Sequence, residues 1–325
     1  MNRAQQLDKW LQKVLCAADF RRQPLAGDAS FRSYWRVTVG GLSYVVMDAP
    51  PPESTQLFTN IAGILSNQGL IVPAILAADE EKGFLLLTDL GDRVYLHELN
   101  HQTADTLYQD AFQAMLKLQQ CTGDLPHFDQ DFVQRQCGIF EEWYVKKHHG
   151  VEITHPIREA LIPIYQQLFA VIQEQPRVFV HRDYHSRNLM ILDENNPGIL
   201  DFQDAMMGPI TYDLVSLLQD CYIAWPRSQV EKWVAYFQSA ATKAGLLNRE
   251  QSQSGFLKWF DFTGLQRHLK NLGIFARLHH RDNKSGYLKD IPQVQRYICE
   301  TCERYPELQP LRFFLDTLQE KSCAR

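Results

Sequence analysis

Residues 180–205 read "VHRDYHSRNLMILDENNPGILDFQDA". Polar groups fall at three places in this run: His181-Arg182-Asp183, then Asn188, then Asp201. Apolar stretches flank each place, so the polar groups sit on short loops between buried strands. Asp183 and Asn188 share one loop, and Asp201 follows directly on the next strand. Nothing in a packed core calls for such a set at such a spacing. Asn188 and Asp201 are hard oxygen donors suited to Mg²⁺, which takes few protein ligands and shares the rest with phosphates and water. Asp183 is a carboxylate left over to accept a proton from a hydroxyl. A base on H-R-D-x-x-x-x-N, its Asn on metal and a later Asp on metal is the division of labour of phosphoryl transfer. A polar turn with capping side chains would explain any one of these residues, but not the set.

Phosphoryl transfer from ATP also needs backbone amides and cations over the triphosphate. The G-x-G-x-x-G form of that loop is absent, and "AGDASFRSYWRV" stands in its place. Small residues there let the backbone approach phosphate oxygens, and the Ser30 hydroxyl can donate. Asp28, Ser30 and Phe31 are accordingly candidates for nucleotide contact. A Lys is expected on the third strand, paired with a helical Glu. That strand is "SYVVMDAP", with Met47 or Asp48 at the Lys position, and no Lys or Arg occurs between residues 37 and 81. Arg32 and Arg36 are the nearest cations, and Arg32 is expected to replace the Lys. Glu53 then lacks its usual Lys partner. The segment "LLLTDLGD" ends an apolar strand at a hinge, where adenine takes one backbone acceptor and one donor; Asp89 and Leu90 are named there for their backbone.

These groups need a scaffold. Residues 2–16 pattern as an amphipathic helix, with Leu7, Trp10, Leu11, Val14 and Leu15 on one face. Two strands follow, joined at Gly40-Gly41, a hairpin signal. Pro50-Pro51-Pro52 stops the second. A helix with Leu57, Ile61, Ile64 and Leu65 precedes a second hairpin that ends at the hinge. Beyond it the periodicity is helical over 101–120, 129–149, 155–175, 211–222, 227–245, 251–281, 290–303 and 308–320, broken only by short strands within 178–202. This is an α+β chain in two parts: a nucleotide-binding lobe over 1–90 and a catalytic and substrate lobe over 91–325. The net charge of −5 argues against a nucleic-acid binder. No run approaches the length of a membrane span, and the N-terminus lacks secretory features, so a cytoplasmic protein is expected. Seven scattered cysteines fit reduced thiols; Cys299 and Cys302 read as one helical turn rather than a zinc site.

At this point the sequence resembles the aminoglycoside-phosphotransferase-like kinases, a branch of the protein-kinase-like bilobal fold, over nearly its whole length. The H-x-D-x-x-x-x-N loop and following Asp match His181, Asp183, Asn188 and Asp201; "MGPITYDL" matches the G-x-P-x-x-D-L segment, whose Asp, here Asp213, supports the catalytic loop. The loop departs from the family pattern at Arg187, where a glycine is usual. "GDASFRSYWRV", "VVMDAPPP", "GFLLLTDLGD", "HRDYHSRNLM" and "LDFQDAMMGP" together look like the anomeric N-acetylmuramate/N-acetylglucosamine kinases of peptidoglycan recycling. The resemblance implies that Met47 is a subfamily trait. It further implies transfer of the ATP γ-phosphate to the C1 hydroxyl of the sugar, with Asp183 as base and Asn188 and Asp201 on Mg²⁺. Gln203 and Asp204, just after the metal Asp, are candidates to face sugar hydroxyls. Arg267, Lys270, Arg277 and Arg281 fall along one helical stripe, where Arg267 and Lys270 could receive the lactyl carboxylate of N-acetylmuramate. A solvated helix face is the other reading of that stripe. The partners expected are the amino sugar and ATP, with the chain a monomer. Two alternatives stay open: another small-molecule hydroxyl kinase of this fold, or a nucleotide-binding scaffold without activity, to which the missing Lys points.

Overall fold

The computed structural model describes residues 2–25 and 31–323. Asp28 and Ser30 lie outside the described residues. The chain forms two compact units: Met1–Lys117 with Arg187–Asp204, and Leu118–Ser186 with Ala205–Arg325. These units differ from the 1–90 and 91–325 segments read from the sequence, and backbone pairing gives the reason. Ile199 N–H donates to Ile71 O at 2.8 Å and Ile191 N–H to Arg93 O at 2.7 Å, with a further bridge between Val94 and Met190. The segment carrying Asn188 and Asp201 is thus bonded into the first unit from far along the chain. Among the described residues no helix is long and apolar enough to cross a membrane.

The first unit is built on a five-stranded sheet of β1 (Arg21–Pro24), β2 (Ser33–Val39), β3 (Leu42–Asp48), β4 (Ile75–Asp79) and β5 (Phe84–Thr88). Its order is β1-β2-β3-β5-β4, with every neighbour antiparallel. Val39 pairs Leu42 across Gly40 and Gly41, at φ of 57° and 81°. Both turn residues need positive φ to match the strand twist, which glycine supplies without a Cβ clash. The sheet has two distinct faces because side chains alternate. Val37, Val46, Phe84 and Leu86 point to one, where Leu7, Trp10 and Leu11 of helix α1 (Arg3–Leu15) cover them. Each such buried side chain contributes about 1.5–3 kcal/mol. A capping box between Asn2 and Gln5 starts α1, and Arg3 Nε on Asp48 Oδ1 at 2.6 Å anchors it. Asp48, one of the two residues at the Lys position, is thereby engaged on the face away from the opposite side of the sheet. Helix α2 (Thr55–Asn67) begins at Ser54 and buries Phe58, Ile61, Ala62 and Leu65. The strand β1 escapes sequence reading because it is four residues long, polar and mostly exposed.

The second unit is helical around one long helix, Gln253–His280, which is buried from Phe256 to Leu278 almost without interruption. A Cβ on Gly273 would lie 2.5 Å from Ile139 O, so only glycine allows the adjoining segment to approach this closely. That segment, read as one helix over 129–149, is α-helical over Gln130–Ile139 and π-helical over Phe140–His148. The strands Arg177–Val180 and Met206–Pro209 pair antiparallel and deliver the chain into and out of the region that bears Asp183.

Candidate active site

In the first unit the side of the sheet facing away from α1 forms one wall of a cavity of about 340 Å³, within the range of small-molecule sites. Tyr34, Arg36, Val45 and Leu87 line it from the sheet, all on the face opposite α1. Phe58, Met190, Leu200 and Phe202 line it too, with the phenyl rings of Phe58 and Phe202 4.7 Å apart. Residues 88–92 also line it, Asp89 and Leu90 among them. The Asp89 carboxylate has a separate task. It accepts from Arg36 Nε at 2.6 Å, Arg36 Nη2 at 3.0 Å and Gly91 N–H at 2.9 Å, while Asp92 also binds Arg36. Burial pushes this carboxyl up, but the Arg36 and Ser43 hydrogen bonds outweigh it and hold it below its ordinary value. The hinge is therefore riveted to the sheet by an ion pair that no motif announced.

Asn188 and Asp201 stand at the same cavity. The hairpin of Leu189–Met190 and Gly198–Ile199 carries them, and Leu200 N–H on Asn188 O at 2.9 Å continues the pairing to its mouth. Asn188 Nδ2 lies 3.4 Å from Asp201 Oδ2. Asp201 adopts φ 61°, a left-handed conformation costing about 1–3 kcal/mol for a residue other than glycine. The Gln203 amide donates to its Oδ1 at 2.6 Å. Gln203, expected to face sugar hydroxyls, is instead buried and spends its donor on the metal-site candidate; Asp204 beside it is exposed. Among the described residues no group of three or more His, Cys, Asp or Glu could hold a metal alone. Two oxygen donors beside a nucleotide-sized cavity still fit Mg²⁺, which completes its shell with phosphate and water.

A buried cation stands just before β2. Arg32, buried, reaches Glu53 at 2.8 Å, and Phe31 N–H approaches Glu53 at 3.4 Å. Glu53 thus has a cationic partner, twenty-one residues away in sequence (53 − 32) rather than on β3. Phe31 itself is 72% exposed. Met47 is fully buried on the cavity-side face of β3, next to Tyr34 in register, but Val45 and not Met47 lines the cavity.

Asp183 belongs to the second unit, on the loop after Arg177–Val180. Asp213, fully buried on the short helix Tyr212–Leu218, accepts from His181 N–H at 2.6 Å and Arg182 N–H at 3.0 Å. Burial pushes the Asp213 carboxyl up, against the pull of these two donors. They let Arg182 hold φ 79°. His181, also fully buried, accepts from Asp183 N–H through Nδ1 at 3.2 Å. Both residues named as loop supports therefore bond the loop. Arg267 reaches the same loop from another element. It is buried on the long helix, donating to Arg182 O at 2.8 Å, with Asp183 Oδ1 at 3.5 Å. Lys270, one turn on, is buried too. Neither belongs to a solvated stripe. Burial pushes the Asp183 carboxyl up, but Lys270 and Arg267 outweigh it and hold it well below the usual carboxylate range.

Comparison with known proteins agrees with this geometry. The model of the "Phosphotransferase enzyme family" matches residues 21–249. An N-acetylmuramate/N-acetylglucosamine kinase of Pseudomonas aeruginosa is 45% identical over 300 residues, which cover 91% of this chain and 88% of the relative. Choline kinase LicA from Streptococcus pneumoniae superposes with a TM-score of 0.66 at 11% identity, covering 93% of this chain and 99% of that one. ADP-bound aminoglycoside phosphotransferase APH(2'')-Ib gives 0.62 at 18% identity, over 91% and 98%. The two solved structures establish a protein-kinase-like fold, and the sequence match establishes kinship: the chain belongs to the phosphotransferase enzyme family.

Proposed function

We propose that this chain transfers the γ-phosphate of ATP to the anomeric C1 hydroxyl of N-acetylmuramate and N-acetylglucosamine, as a monomeric cytoplasmic enzyme, giving the sugar α-1-phosphate. The observation that carries the reading is the meeting of Asn188 and Asp201 at the cavity beneath the sheet, in a chain so similar to a kinase of that name. Asn188 and Asp201 would hold Mg²⁺, which when bound neutralises charge on the phosphates. Tyr34, Val45, Leu87 and Met190 offer apolar surface to adenine, and the 89–90 backbone offers it hydrogen bonds. Asp183 accepts the proton of the acceptor hydroxyl. Its depressed basicity suits an anomeric hydroxyl, which is more acidic than an ordinary alcohol. The test is to incubate the protein with ATP, Mg²⁺ and each sugar and to identify the phosphorylated position by phosphorus and proton NMR. Phosphate elsewhere than on C1, or none, sinks the reading.

Arg32, held by Glu53, takes the part of the strand Lys toward the α- and β-phosphates. Arg32→Ala is expected to lower kcat/KM for ATP by about 10- to 100-fold, the worth of one charge-assisted hydrogen bond. Arg32→Lys should recover part of it. Unchanged ATP KM and kcat in the Ala variant remove the idea.

With Arg267 committed to the loop, Lys270 is the cation left for a carboxylate on the sugar. Lys270→Met is expected to cost N-acetylmuramate about tenfold more in kcat/KM than N-acetylglucosamine. Steady-state rates on both sugars decide it, and equal losses on the two exclude the role.

A further inference from the structure

Asp220 is 2% exposed and does nothing that the motifs of this chain account for. Its two oxygens are divided between two segments. Oδ2 accepts from the Ser186 backbone N–H at 3.0 Å and from the Ser186 hydroxyl at 2.5 Å. Oδ1 accepts from Tyr222 N–H at 3.0 Å. Ser186 is fully buried, so neither bond competes with water. The Asp220 carbonyl in turn receives the Tyr297 hydroxyl at 3.3 Å, and the Tyr222 ring meets the His185 ring edge-on at 5.4 Å. Enclosing a carboxylate costs several kcal/mol unless donors satisfy it. Here three donors do, and two of them belong to one residue of the Asp183 loop.

The position of Ser186 gives the arrangement its meaning. Asp213 grips the loop at His181 and Arg182, just before Asp183. Asp220 grips it at Ser186, just after. A short loop held at one end can pivot about that end; held at both, it cannot. Asp213 sits in the first turn of the short helix Tyr212–Leu218, and Asp220 follows just past its C-cap Gln219, so the two grips come from the two ends of one short segment. We propose that Asp220 is a positioning residue for phosphoryl transfer, the second point of a clamp that fixes the orientation of the Asp183 carboxylate. The proposal rests on Asp183 as the base.

Misplacing a reacting group by about 1 Å costs on the order of 10²-fold. Asp220→Asn, near-isosteric, is therefore expected to lower kcat about 100-fold. KM for ATP and for the sugar should stay within about threefold, because no bond to either substrate is removed. Ser186→Ala removes only the hydroxyl donor and should lower kcat about tenfold; it keeps the test open if Asp220→Asn fails to fold. The decisive readout is the same pair of changes made on Asp183→Asn. A clamp that acts through Asp183 has nothing left to position there, so the residual rate should not fall further. A general structural role would lower it again by the same factor. If Asp183→Asn alone keeps the wild-type rate, the base assignment is at fault and not the clamp. If Asp183→Asn is inactive but both clamp variants keep kcat within twofold of wild type, or if they cut the residual rate as much as the full one, the clamp is overturned.

Discussion

Asp183→Asn is expected to reduce kcat by about 10³- to 10⁴-fold while ATP affinity changes by no more than about twofold. The substitution keeps the side-chain volume and the Asp183 N–H bond to His181, so the loop keeps its supports. What it removes is the loop's carboxylate, kept ionised by the two cations that face it. Arg267 keeps its bond to Arg182 O, which does not involve the carboxylate. Loss of rate without loss of nucleotide binding therefore isolates the proton acceptor from the scaffold. The pH profile offers a second check. Lys270 and Arg267 lower the Asp183 carboxyl far enough that it stays ionised throughout the neutral and mildly acidic range. Lowering the pH from 7 toward 5 should thus produce no fall in kcat/KM from this group, since a depressed carboxylate gains its proton only below the ordinary value of about 3.9. Steady-state kinetics with each sugar, paired with ATP titration by calorimetry, measure both effects. A variant within tenfold of wild-type kcat, or an acid limb with its midpoint near pH 6 that vanishes in the variant, rules out the role described.

Asp201→Asn should cost kcat about 10³-fold and shift the Mg²⁺ concentration needed for half-maximal rate upward by at least tenfold. The reason is charge and not shape. Asn188 supplies a neutral oxygen, so Asp201 provides the only formal negative charge from these two protein donors at the cavity. A loss of about 4 kcal/mol of transition-state stabilisation corresponds to 10³ in rate. The Gln203 amide at 2.6 Å can still donate to an Asn oxygen, so the φ 61° conformation has its support and the variant should fold. Mg²⁺ titration of the rate, with Tm as a control, tests the expectation. An unaltered Mg²⁺ midpoint at full Tm would show that Asp201 does not carry the metal.

Asp183, Asn188 and Asp201 stand out in the sequence because they fall at short range within one strand–loop–strand run, and that run is unusual for any other purpose. The hairpin at Gly40-Gly41 and the buried apolar face of α1 were legible for the same reason, since turn chemistry and period act locally. What escaped was contact between distant segments. The Arg32–Glu53 pair, the Arg36–Asp89 rivet and the Ser186–Asp220 bond each join residues more than twenty apart, and nothing local marks either partner. Asp220 left one signal, its place just past the end of the short helix that Asp213 begins, which gains meaning only once Asp213 has a role. Arg267 and Lys270 show the opposite limit. Helical spacing places them on one stripe but cannot say what packs against a helix. On a helix buried all round, Arg267 becomes a strut for the Arg182 carbonyl. Gln203 shows the same limit: its nearness to Asp201 is visible in the sequence, but not that its amide folds back onto the Asp201 carboxylate.

The discontinuity of the first unit has a consequence for how the protein is made. Its cavity is lined by residues as early as Leu25 and as late as Phe202. A ribosome releasing the chain from its N-terminus exposes the sheet and α1 first, then the helices of residues 118–186, and only afterward the hairpin that bears Asn188 and Asp201. At about 5–20 residues per second, the early strands wait on the order of ten seconds for the segment that completes their pocket. During that interval Phe58 lacks Phe202, and the open side of the sheet is bare. The helix α1, which needs nothing beyond Leu86, can already cover the other side. The N-terminal helix therefore acts as a birth-order safeguard, shielding one face of a half-made sheet until the last of its parts is synthesised.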